Sequence, residues 1–166
     1  MSTGMTMRKT IFFLAAMAPI MATGPAYAHH SLAMYDTHKV YAFTGVVTGV
    51  IQSPAHLKIK FVPLNEARDK VIRDDNGEPI EWIVEMDGAA KAARDGITAN
   101  NFPAGTIISV ALFPLRTGGH GGARNKFGLF KCPPETPPAP GKFCDSVAGS
   151  TSHGKGVIPE GTDPVP

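Results

Sequence analysis

The sequence predicts an all-β, mostly antiparallel fold: an OB-like five-stranded barrel with one short helix between its third and fourth strands. Three observations predict it. Five segments carry strand composition or two-residue alternation. One segment between the third and the fourth has helical character. The first strand is long and broken by glycines, as a strand that serves both halves of an OB barrel must be. A small β-sandwich with a helical insert is the competing architecture.

Val40 to Ile51 forms the first strand, rich in β-branched and aromatic residues, with Gly45 and Gly49 as points of bend or bulge and Ser53-Pro54 as its end. His56 to Val62 forms the second. Its alternation turns Leu57, Ile59 and Phe61 inward and His56, Lys58 and Lys60 toward water. Pro63 to Pro79 is polar and ends in the turn signal Asp74-Asp75-Asn76-Gly77. Ile80 to Met86 is the third strand, with Ile80, Trp82, Val84 and Met86 on one face; Trp82 reads as core, and Glu81 and Glu85 as a solvated outer face. The period then changes. Asp87 is positioned to cap a helix over 88–95, which Gly96 terminates. Thr106 to Phe113 is the fourth strand and Phe127 to Phe130 the fifth.

Residues 1–28 read as a signal peptide. Arg8 and Lys9 form a basic start, Ile11 to Met21 an uncharged apolar run, and Ala26-Tyr27-Ala28 a small-residue cleavage site. The apolar run is shorter than the roughly 20 residues a bilayer span needs, so the exported chain is not an integral membrane protein. Its expected location is periplasmic or secreted. Arg8 and Lys9 are the only charged side chains in 1–28, so of 16 basic and 14 acidic residues, fourteen of each sign remain. No basic stripe is left for a nucleic acid. Residues 29–146 suit one domain. Cys132 and Cys144, in an oxidising compartment, are expected to form a disulfide closing the proline-rich loop 132–144; thiolate metal ligation is the alternative, without CxxC spacing to support it. Residues 147–166, rich in Gly, Pro and Ser, read as a flexible tail in which His153 has no structural task.

Several motifs together resemble an uncharacterised family of exported bacterial proteins, domain of unknown function 6152. They are Ala28-His29-His30-Ser31, Gly45-Val46-Val47, Ser53-Pro54-Ala55-His56, Glu81-Trp82-Ile83-Val84-Glu85-Met86 and Pro114-Leu115-Arg116-Thr117-Gly118. The chain departs from the pattern where Ala55 separates Pro54 from His56. The resemblance implies export and a small β domain and supplies no reaction.

The candidate chemistry is copper binding. Cleavage after Ala28 would leave His29 first, with a free amine and an imidazole on one residue, a nitrogen chelate that favours copper. His56, His120 and His38 are the candidate second imidazoles. The plain alternative for His29-His30 is a frayed terminus; for His56, a solvated strand face; for His120, among Gly118, Gly119, Gly121 and Gly122, a flexible connector. No nucleophile elbow or phosphate-loop motif is present, and the reading is non-catalytic. The alternative function is a metal-independent accessory module that binds a periplasmic protein or a small ligand.

Overall fold

A computed structural model describes Met1 and residues 32–53, 55–160 and 162–163. The strands are β1 (Tyr41–Gln52), β2 (Leu57–Pro63), β3 (Trp82–Glu85), β4 (Ile107–Pro114), β5 (Gly121–Ala123), β6 (Leu129–Lys131) and β7 (Thr151–Ser152), with helix α1 (Ala89–Arg94) between β3 and β4. Strands β1 to β5 close on themselves in the order β1-β2-β3-β5-β4, with β4 returning to β1. All pairings in the ring are antiparallel except β3 with β5. That closure is an OB-like barrel, and it sets the sandwich aside.

The first strand does what its glycines imply. Tyr41 to Val46 pairs with β4, Gly45 onward pairs with β2, and the β2 register shifts between Val47 and Gly49. A Cβ on Gly45 would lie 2.7 Å from both the Phe61 ring and the Val62 carbonyl oxygen, so only glycine fits at this crossing. Inside the barrel, Phe43, Val47, Leu57, Ile59, Phe61, Trp82, Val84, Ile108, Val110 and Leu112 form one buried cluster. Ala92, Ile97 and Phe102, from α1 and the segment after it, belong to the same cluster.

Strand β4 is buried along nearly its whole length because both its faces are covered. Ala111 and Phe113 lie in a second cluster outside the barrel, with Tyr35, Ala123 and Phe127. Thr44 and Ser109, fully buried partners across β1 and β4, share a hydrogen bond of 2.8 Å, and the Cys144 backbone N–H donates to Ser109 Oγ at 2.8 Å. Those contacts seat the loop closed by the Cys132–Cys144 disulfide, which is present as expected.

Four expectations are corrected. The fifth barrel strand is Gly121–Ala123, which overlaps the Gly118–Gly122 stretch read as a connector, while the Phe127–Phe130 run leads into β6, outside the ring. A Cβ on Gly122 would overlap the Phe113 carbonyl and the Leu112 side chain, so the glycines there permit close packing against β4. The helix is capped by Gly88 without a side-chain bond, because the Asp87 carboxylate is taken by Lys91 at 2.7 Å and Arg124 at 3.0 Å. The described residues from Val147 on are fastened: β7 pairs with β6, the Gly128 N–H bonds the Val157 carbonyl, and Val40 and Asp163 exchange two hydrogen bonds. His153 is buried, not idle. Its Nδ1 meets the Asp95 carbonyl at 3.0 Å, its Nε2 meets Thr151 Oγ1 at 3.1 Å, and its ring packs edge-on to Phe102.

Candidate functional site

The chain before β1 folds back along the end of β4. Tyr35 bridges Leu115, the Asp36 N–H donates to the Pro114 carbonyl at 2.8 Å, and the Arg116 N–H donates to the Met34 carbonyl at 2.9 Å. Left-handed Gly118 and Gly119 then turn the β4–β5 loop, and the His120 carbonyl accepts from the Ile83 N–H at 3.0 Å. These ties place His120 against Trp82, with ring centroids 5.3 Å apart.

Between the loop and the start of β1 lies a cleft of about 310 Å³, lined among others by Asp36, Lys39, Tyr41, Trp82, Arg116 and His120. Tyr41 and Trp82 are 8 % and 3 % exposed and pack edge-on at 6.1 Å. Their rings belong to the core, yet neither the Tyr41 hydroxyl nor the Trp82 indole N–H bonds to another described residue, and neither atom is sealed from solvent. The Lys39 ammonium and Arg116 guanidinium also lack a counter-ion among the described residues. The cleft is therefore lined by four residues whose donor groups bond no described residue, beside one carboxylate, Asp36, and one imidazole.

A second cavity of about 270 Å³ shares Leu115 and His120 with the cleft and adds Met34, Tyr35, Lys58 and Glu85. Glu85 is its hub. The carboxylate lies 3.5 Å from His56 Nδ1 and 3.5 Å from Lys58 Nζ, and Tyr35 lines the same cavity. Burial, reinforced by the negative charge of Glu85, pushes the Tyr35 phenol up to about 12. Glu81 has separate partners, Lys60 at 2.7 Å and Thr48 at 2.6 Å. Burial works to raise its carboxyl, but the bonds from Lys60 and Thr48 prevail and hold it below its usual value. The two outer carboxylates are ion-paired rather than merely solvated.

A family model, that of a family of unknown function, matches residues 18–124. The chain belongs to DUF6152. The matched stretch contains β1 through β5, both cavities and every residue named in them, and stops before β6 and the disulfide. No curated protein and no solved structure matches this DUF6152 chain.

Of the expected ligands, His29 lies outside the described residues. His56 precedes β2 and is half-buried beside Glu85 and the Met86 carbonyl, so it does not stand on a solvated face. His120 lines both cavities and is more than part of a connector. His38 is exposed. Among the described residues, no group of three His, Cys, Asp or Glu side chains is placed to hold a metal. Lys39, Tyr35 and Asp36 carried no motif signal in the sequence. Arg116 did, within Pro114-Leu115-Arg116-Thr117-Gly118.

Proposed function

We propose that this DUF6152 chain is an exported binding module that seats a small anionic ligand in the cleft beneath His120. One observation carries the reading: Tyr41 and Trp82, buried in the barrel core with polar atoms that bond no described residue, line one cleft with two cations that have no counter-ion among the described residues. Water can meet these donors in the free protein, and a ligand acceptor entering the cleft would take its place. Carboxylate or another flat oxyanion fits the set, because Arg116 offers a forked donor, Lys39 a point charge and Trp82 and Tyr41 single donors. The cleft volume sits at the small end of ligand pockets, which favours a metabolite-sized molecule. The signal-like residues 1–28 and the disulfide support export.

Trp82 is the sole tryptophan, so its fluorescence reports the cleft directly. Titration with benzoate and with citrate should give a saturable change with at least one of them. Arg116→Ala should weaken that binding by roughly tenfold or more, the worth of a charge-assisted bond. A fluorescence signal indifferent to both anions up to millimolar concentration refutes the reading.

Copper at a processed His29 is the second reading. It is favoured by the position of Tyr35, six residues after His29, in the wall of a cavity that His120 also lines. Protein beginning at His29 should then bind one equivalent of Cu(II) tightly, while a form with one added N-terminal Ala, or with His120→Ala, should bind weakly. Equal affinity in all three forms removes it.

A further inference from the structure

We infer that this chain carries a second, separate anion site, shaped for the phosphate group of a small phosphorylated molecule, between α1, the β5–β6 turn and the segment at Lys155. A cavity of about 560 Å³ lies there, and none of its lining residues belongs to the cleft beneath His120. Four cationic side chains line it, Lys91, Arg124, Lys126 and Lys155, against one carboxylate, Asp95.

Two of those charges are already balanced. Lys91 Nζ lies 2.7 Å from Asp87 and 3.1 Å from Asp95, and Arg124 Nη2 lies 3.0 Å from Asp87 and 4.0 Å from Asp95. Lys126 and Lys155 have no counter-ion among the described residues, which leaves an excess of two positive charges at the rim. A phosphate monoester carries about −1.5 to −2 at neutral pH and matches that excess; a single carboxylate does not.

The wall of the cavity is fixed and positively charged. Arg124 is 3 % exposed, its Nη1 donates to the His153 carbonyl at 2.8 Å and its Nη2 binds Asp87. Its Nε is buried without a hydrogen-bond partner. That atom is sealed from solvent, so the guanidinium adds fixed positive charge to the wall rather than a free donor. The His153 carbonyl and the Asp87 carboxylate hold the guanidinium in place. Phe127 lines the same cavity, and its volume is several times what the ion itself needs, so there is room and an apolar surface for an organic group attached to the phosphate.

An amide NMR titration of the full folded chain tests this, with inorganic phosphate and glycerol 3-phosphate as probes and sodium chloride as the ionic-strength control. Saturable shifts are expected at Asn125, Lys126, Lys155 and Gly156, with the monoester binding more tightly than the free ion. Equal binding of the two probes would assign the site to phosphate itself and support the oxyanion chemistry. The double variant Lys126→Gln/Lys155→Gln changes only exposed side chains and should weaken binding about tenfold or more, the effect of losing two charge-assisted contacts. Arg116→Ala should leave it unchanged, which separates this site from the cleft beneath His120. Shifts that chloride reproduces at equal ionic strength, or a double variant that binds as the parent does, would overturn the inference.

Discussion

Ser109 is the hinge of the contact between the barrel wall and the disulfide loop, and its removal has a calculable cost. Ser109→Ala deletes two hydrogen bonds of 2.8 Å at a site with no solvent exposure. It also strands two buried groups, the Thr44 hydroxyl and the Cys144 N–H. Each stranded group costs about 1–3 kcal/mol, so the substitution should destabilise the fold by about 3 kcal/mol. For a chain of this length that corresponds to a fall of roughly 10 °C in Tm. Thr44→Val alone should cost about 1 kcal/mol, because Ser109 Oγ keeps its bond from Cys144. The informative comparison is the double variant. With Ser109 already alanine, Thr44→Val removes a stranded hydroxyl and preserves its shape, so it should be neutral or stabilising. Urea denaturation of all four proteins, with a common m-value, reads this coupling directly. If Thr44→Val destabilises both backgrounds by the same amount, the two hydroxyls do not act as a pair and the reasoning fails.

Two further outcomes follow from the same covering elements. Replacing Cys132 and Cys144 by alanine, twelve residues apart, should cost about 3 kcal/mol in the chain-entropy model, and somewhat less because the loop prolines already stiffen the unfolded chain; an unchanged urea midpoint would contradict this. Burial, followed by the nearby Lys131 and Arg124 charges, holds His153 below its ordinary value of 6.5, against the opposing pull of its bond to the Asp95 carbonyl. The unfolded chain therefore takes up a proton first, so the His153 contribution to stability is complete above 6.5 and is lost as pH falls below it. Thermal midpoints measured across that range should fall on acidification, by no more than about 1.4 kcal/mol per pH unit from this one group, and His153→Gln should flatten the slope. A slope identical in the variant refutes the assignment.

The barrel was legible where side chains alternate. Leu57, Ile59 and Phe61 point inward as their spacing dictates, as do Trp82, Val84 and Met86, and the glycine-broken first strand joins both halves. Strand β5 was hidden because Gly121-Gly122-Ala123 has no side-chain pattern to read; its need for glycine comes from the Phe113 backbone, distant in sequence. The closing segment looked disordered by composition, but β6 offers it a free edge and Arg124 requires the His153 carbonyl. Among the cleft residues, the glycine-flanked His120 and the core position of Trp82 are legible in the sequence. Lys39 and Arg116 meet there only because the chain before β1 folds back on the end of β4, a long-range pairing that no local pattern encodes.

The family match ends at Arg124, one residue after the last strand of the ring, which invites the idea that a chain shortened there would be self-sufficient. The pairing of β4 argues otherwise. Ile108, Ser109 and Val110 bond to β6 on the side away from β1, so trimming at the match boundary would bare three consecutive residues of the most deeply buried strand as an open ladder. An uncovered, apolar edge of that kind is a template for intermolecular sheet growth. Strand β6, beyond the match, thus acts as insulation against self-association, and recombinant work on this barrel should keep it.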